Sequence, residues 1–203
     1  LDNSSVTPYQ FDAKSIEFNA SSSQGYLLNM GQSGFYRTVY NTSHLEFLGR
    51  QIKHGHLSPL DRIGILSDSF EASKAGYSST TDSLQFIDNY KSETNYAVWD
   101  VIATMLGSIR TVFGDDNIRE LMKPYSRTIT GNELKRLGWD RKKDDSHFDQ
   151  LLRPIILGMA AAADTENIVD KCREIFDRLH DADDLNPDLM ITGGRKRVKR
   201  GLD

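Results

Sequence analysis

The sequence predicts a mainly α protein: an antiparallel αα-hairpin superhelix of the HEAT or armadillo kind, preceded by a short β-strand/hairpin segment. Three observations carry that prediction. From Thr42 onward apolar residues recur at spacings of three and four, the period of a helix. Short turns rich in Ser, Gly and Asp separate the periodic stretches. Before residue 41 the pattern is strand-like alternation and turn formers. The organisation expected is residues 1–40 as the remnant of a β-domain ending in a hairpin, 41–189 as a truncated helical domain, and 190–203 as a basic tail.

In Lys14 to Asn19, Ile16 and Phe18 alternate with polar neighbours, as in a strand with one wet face. Residues 21–25 read as a loop. Tyr26-Leu27-Leu28 then reaches the turn formers Gly31-Gln32-Ser33-Gly34, and Phe35 to Tyr40 carries aromatic and β-branched residues. Two glycines supply the positive φ of a tight reversal, so the simplest reading is a β-hairpin. Such a small sheet either packs on the helices or is left over from a larger β-domain upstream.

Thr42 or Ser43 caps a first helix with Leu45, Leu48 and Ile52 on one face, ending near Gly55. Ser58-Pro59 opens the second, with serine at the cap and proline at the first helical position. Its stripe is Leu60, Ile63, Leu66 and Phe70, and Gly76 ends it. A third follows Thr80 or Thr81 with Leu84, Ile87 and Tyr90. A longer fourth follows Ser92, with Val98, Trp99, Ile102, Met105, Leu106, Ile109 and Phe113. Ile118 to Ile129 continue the period, and Pro124 is expected to kink or split that segment. A sixth helix carries Phe148, Leu151, Leu152, Ile155, Ile156 and Met159, and its doubled stripe and alanine-rich end predict burial on most sides. A seventh shows Ile168, Cys172, Ile175, Phe176 and Leu179. Short turns between amphipathic helices stack as αα-hairpins.

The 203 residues are 38% hydrophobic and 27% charged, enough to build a core, and the net charge of −4 gives no electrostatic case for nucleic acid. No apolar run is long enough to cross a bilayer, so no membrane partner is expected. A single cysteine, Cys172, excludes an intrachain disulfide framework and suits a reducing, cytoplasmic setting. The chain begins with Leu1, and we read it as a fragment. Three sequons at Asn3, Asn19 and Asn41 would matter only in a secreted protein.

Reactive chemistry is sparse. His44, His54, His56, His147 and His180 form no two-ligand spacing, and His54-Gly55-His56 reads as a solvated helix end. Cys172 falls on an apolar stripe and is expected to be buried and inert. Asp181, Asp183 and Asp184 lack the glycine and closing glutamate of a calcium loop. No nucleophile elbow or phosphate loop occurs. The basic run Arg195–Arg200 reads as a disordered end. No catalytic residue, metal ligand or cofactor site is therefore assigned within this chain.

Gly31-Gln32-Ser33-Gly34-Phe35-Tyr36-Arg37, preceded by Leu27-Leu28-Asn29, resembles the junction motif of the aminopeptidase N and puromycin-sensitive family of zinc aminopeptidases. The likeness continues in Leu57 to Gly64, Glu93 to Trp99, Leu137-Gly138-Trp139 and Leu151-Leu152-Arg153, and covers roughly residues 12–188. The Leu-Gly-Trp block and the alanine-rich helix end look most like the neutral cytosolic eukaryotic branch. The resemblance implies a β-sandwich ending near residue 40, then a bowl of αα-hairpins closing over a catalytic domain and admitting the body and C-terminal end of peptide substrates. It also implies zinc in the parent enzyme, on exopeptidase and zinc motifs upstream that this chain lacks. Alone, the chain is expected to be inactive.

Arg110, at the edge of the fourth helix's stripe, is the candidate substrate-binding residue, for a peptide's C-terminal carboxylate. Arg153 is a weaker candidate because Pro154 obscures its direction. A stand-alone helical-repeat scaffold for a protein partner is the competing reading, and a basic-tailed nucleic-acid accessory is disfavoured by charge. A solenoid cut short exposes an apolar face, so self-association is expected.

Overall fold

A computed structural model describes residues 6–8, 10, 12–17, 25–112 and 115–181. Among the described residues seven α-helices follow one another: α1 (Thr42–Lys53), α2 (Pro59–Lys74), α3 (Thr80–Ile87), α4 (Tyr96–Val112), α5 (Asp116–Leu137), α6 (His147–Ala162) and α7 (Glu166–Asp181). Single 3-10 turns lie at Met30–Gln32 and Asp88–Tyr90.

Local chemistry sets the starts of the helices. Ser58 caps α2 ahead of Pro59, as its sequence requires. Ser79 and Ser146 form reciprocal capping boxes with Asp82 and Asp149. The α1 cap is Asn41 rather than Thr42 or Ser43, its Oδ1 accepting from the His44 N–H. Positive φ at Gly55 (71°) and Gly76 (80°) lets the chain leave α1 and α2.

Helices α1 to α6 share one core. Trp99, Tyr90, Leu48, Leu66, Ile87, Ile102, Ile129, Leu137, Leu152 and Ile156 are fully buried within it. Neighbours in sequence pack as pairs, α2 on α3, α5 on α6 and α6 on α7, while α2 also packs on α4 and α4 on α6.

Five sequence expectations are corrected. Among the described residues no β-strand forms. Residues 26–40 run through the 3-10 turn into an unpaired extended segment instead of a hairpin, because the turn's polar groups bond to α2. Phe18 and Asn19, Phe113, and the whole of the basic tail lie outside the described residues. Pro124 does not split α5. Met122 and Ile129, on either side of it, both anchor in the core, and that packing outweighs one missing backbone bond. The buried side of α2 is Ile65, Leu66 and Phe70 with Asp61 and Asp68, while Leu60 is exposed. Helix α6 is buried on one side only, through Leu152, Arg153, Ile156 and Ala160, and leaves Phe148 and Leu151 exposed. Cys172 is exposed, because α7 buries Ile168 in its first turn but leaves Cys172 and Phe176 outside the core.

Candidate functional site

The segment that precedes α1 is bound to α2 by polar contacts. Asn29 (φ 52°) and Gly31 (φ 68°) turn the chain. The Asn29 side chain spans the turn, accepting from the Gly34 N–H at 2.7 Å and donating to the Gly34 carbonyl at 3.1 Å. The Gly31 N–H donates to Asp61 at 2.6 Å, and Asp61 also takes the Ser58 hydroxyl at 2.6 Å. One side of Gly64 is filled by the Gln32 amide, so close that a Cβ there would lie 1.8 Å from Gln32 Nε2. Thr38 gives Asp68 both its N–H (2.8 Å) and its hydroxyl (2.9 Å), and Arg37 adds an ion pair at 3.3 Å.

A second polar cluster joins α2 to the start of α4. Arg62 Nε lies 2.7 Å from Glu93 Oε2, and a second guanidinium nitrogen donates to the Leu57 carbonyl at 2.7 Å. Glu93 in turn accepts the Thr94 and Asn95 N–H groups at 2.9 and 2.8 Å. Trp99 Nε1 donates to the Glu93 carbonyl and Tyr90 OH to the Arg62 carbonyl, both at 2.9 Å. Burial, with the Glu93 charge adding to it, pushes the Tyr90 phenol well above its ordinary range. A third cluster joins α5 to α6: Arg153 pairs with Asp145 at 2.7 Å and donates to the Leu137 carbonyl at 3.2 Å. Arg136 bridges Glu133 (2.8 Å) and Asp149 (2.6 Å). The block from Leu57 to Gly64 thus meets both Gly31 to Arg37 and Glu93 to Trp99, and Leu137 to Trp139 meets Leu151 to Arg153. Each charge in these clusters is matched within the fold, so they join elements rather than offer a reactive group. Arg153, buried on Asp145, is removed as a substrate candidate.

Arg110 is different. It sits half-buried in the last turn of α4 with no hydrogen bond or ion pair among the described residues. With Gly107, Thr111 and Arg119 it lines an open depression of about 380 Å3 at the α4–α5 corner. Thr111 donates its hydroxyl to the Gly107 carbonyl at 3.0 Å, and the glycine leaves the floor flat. Lys123 pairs with Glu120 and, at 2.6 Å, with Asp164, while Arg127 holds the Ala163 carbonyl that ends α6. Lys123 first of all, with Arg127 and Arg110 adding, holds the Asp164 carboxyl below its usual range. Sequence reasoning missed Arg119. Its signal was a cation in the first turn of α5, where the helix dipole disfavours positive charge.

Among the described residues no three His, Cys, Asp or Glu side chains converge on a common point, so the donor set does not fit zinc. The His54 and His56 rings stack at 5.7 Å, and His56 Nδ1 is engaged by Gln51 at 2.9 Å.

Packed helical pairs joined by closed ionic clusters make the described residues a helical domain. A family model described as the ERAP1-like C-terminal domain matches residues 26–192. The chain belongs to that family. It is 31% identical over 180 residues to Aminopeptidase 2 of Candida albicans, covering 87% of this chain and 20% of that protein. It is 30% identical over 166 residues to Alanine/arginine aminopeptidase of Saccharomyces cerevisiae, covering 81% and 19%. To Aminopeptidase M1 of Arabidopsis thaliana it is 30% identical over 153 residues, covering 74% and 17%. The chain thus spans about a fifth of the length of the relatives it matches.

Proposed function

We propose that this chain is the non-catalytic helical part of a zinc-dependent aminopeptidase, walling the substrate chamber and receiving the body or C-terminal end of a peptide. The observation that carries this reading is Arg110, which makes no hydrogen bond or ion-pair contact among the described residues, feels only the more distant Asp164 charge, and lines an open depression with Arg119, itself paired with Asp116 at 3.4 Å. A carboxylate is the group that a guanidinium in such a setting holds best. The stacking of α2 on α4 and α4 on α6 supports an αα-hairpin superhelix. The extended run before α1 supports descent from a β-sandwich, since Thr38 is buried while Arg37 and Val39 are exposed. In this reading residues 1–40 belong to that sandwich, 41–189 to the helical domain and 190–203 to a tail. Zinc and the reacting groups belong to another segment of the parent. A cytoplasmic setting fits the single thiol, although one yeast relative is named as mitochondrial.

The test uses two peptides of one sequence, one ending in a free carboxylate and one in an amide. Arg110→Ala is expected to weaken binding of the acid by about tenfold, a charge-assisted hydrogen bond's worth, and to leave the amide unchanged. Equal losses for both peptides would overturn the carboxylate role. Turnover of an aminoacyl amide by the purified chain with added zinc would overturn the non-catalytic reading.

The exposed Phe176 of α7, beside the exposed Cys172, favours a second reading, a stand-alone scaffold that uses this face for a protein partner or a second copy of itself.

A further inference from the structure

Between α1, α2 and α3 lies a groove of about 340 Å3, remote in sequence from Arg110 and unused in the reading above. Its floor is apolar, made by Leu45, Ile65, Ala72 and Phe86. One wall is the extended run Thr38–Tyr40, and Glu46, Arg50, Lys53, Asp82 and Gln85 line the remainder.

Three features of this groove ask for the same kind of ligand. The first is backbone. The Thr38 N–H is taken by Asp68, whereas the N–H and carbonyl of Val39 have no hydrogen-bond partner among the described residues. In an extended chain successive residues present their backbone groups to opposite sides, so the side turned away from Asp68 carries a free donor and acceptor. The second is volume. The cavity sits at the low end of the size range for ligand sites, room for one or two residues rather than a folded partner. The third is charge. Glu46 and Lys53 take no hydrogen bond or ion pair among the described residues, and Arg50 only lies 6.0 Å over the Phe47 ring. Cations and anions are mixed on this rim, which disfavours a ligand of one sign such as a nucleic acid. A segment with flanking charges of both signs satisfies it.

We propose that this groove binds an extended polypeptide segment by strand addition. The segment pairs its backbone with Val39 and seats one apolar side chain on the floor of Leu45, Ile65 and Phe86. Main-chain pairing gives such a site its affinity and the pocket gives it side-chain preference. Nothing in it depends on Arg110.

The probe is a fluorescein-labelled pentapeptide, acetyl-Lys-Val-Leu-Val-Glu-amide, followed by anisotropy on the full chain, with amide exchange at Val39 read in parallel. Saturable binding and slowed exchange at Val39 are expected. Two analogues N-methylated on alternate amides should differ, the register that faces Val39 losing about tenfold for one hydrogen bond. Val39→Pro, which deletes the donor, should lose a similar factor. Gln85→Trp on the exposed side of α3 should block the groove, and it keeps the test decisive if the proline variant does not fold. Arg110→Ala should leave the affinity unchanged. Equal binding of both N-methylated analogues would overturn strand addition. Absence of saturable binding into the millimolar range would overturn the site, and so would competition by free leucine as strong as by the peptide.

Discussion

Asp61 and Asp68 stand seven residues apart on one side of α2 and hold the two ends of the same incoming segment. Asp61 takes the Gly31 N–H at 2.6 Å, and Asp68 takes the Thr38 N–H at 2.8 Å. Two helical turns between the carboxylates match the span of a 3-10 turn plus a short extended run. Both carboxylates are buried and both are fully engaged, so the direction in which the chain enters α1 is set by α2 rather than by α1's own cap.

Asp68→Ala leaves the Thr38 N–H and hydroxyl without an acceptor in a buried site. A stranded buried donor costs about 1–3 kcal/mol, so the variant is expected to lose about 2–4 kcal/mol in a urea titration. Amide exchange should quicken at residues 36–40 while α4 and α6 keep their protection. Loss of protection throughout the molecule would mean that the clasp is part of the core and not a separate contact.

Glu93→Gln tests the buried pair with Arg62. The Glu93 side chain is 4% exposed and that of Arg62 14%, so the guanidinium would be left with a much weaker partner in a site that water scarcely reaches. Breaking a buried pair on one side costs about 3–5 kcal/mol. The glutamine retains an oxygen for the Thr94 and Asn95 N–H groups, which keeps the start of α4 capped. The expected result is a large drop in stability with unchanged helix content. The double variant Arg62→Met with Glu93→Gln should recover part of the loss, since no charge then remains unpaired.

The loop between α5 and α6 is expected to loosen in acid. The Lys142 N–H and the Arg153 guanidinium hold the Asp145 carboxyl below the usual range, and the Ser146 hydroxyl and Arg136 do the same for Asp149. A folded-state value below the unfolded one makes the native state bind fewer protons. The stabilisation is therefore complete above the unfolded carboxylate value of about 3.9 and lost as pH falls through the lower native value. Stability measured from pH 5 to pH 2 should fall with a slope that shrinks in Asp145→Asn and shrinks further when Asp149→Asn is added. An unchanged slope would show that other carboxylates carry the transition.

The helices were legible because their apolar spacing, serine caps and terminal glycines all agreed, as at Ser58-Pro59 and Gly76. The polar joints were not. Nothing local marks Asp61 or Asp68, since the backbone N–H that each carboxylate accepts lies thirty residues away in the chain. Arg153 was seen as a candidate for substrate and proved to be a strut, because its partner Asp145 sits in a loop whose course periodicity does not give. The hairpin failed for a related reason. Turn formers and β-branched residues fix a local preference, but a strand needs a neighbour, and among the described residues the 35–40 segment finds Asp68 instead.

Cys172 gives a direct check on the outer side of α7. The thiol is exposed and Phe176, one turn further on, is 66% exposed. Dilute native chain should react with a maleimide about as fast as denatured chain. If copies associate through this side, the reaction should slow as concentration rises, and Phe176→Glu should restore it. A rate that stays slow at every concentration would place the thiol in a buried setting.

Pro124 lies inside α5, between Met122 and Ile129 of the core, and is itself exposed. Its ring removes the N–H that would have reached the Glu120 carbonyl, a position that costs about 3 kcal/mol in a free helix. Part of that cost is offset, because proline also restricts the unfolded chain by about 0.4–1 kcal/mol. Pro124→Ala restores the donor and gives up the restriction, so the variant should be more stable by about 2 kcal/mol. The helix already runs unbroken through this point, so nothing else has to move, and a thermal melt followed by far-UV circular dichroism should shift upward with the same native spectrum. A neutral or lower melting point would mean that the bend imposed by the ring is what lets Met122 and Ile129 reach the same core.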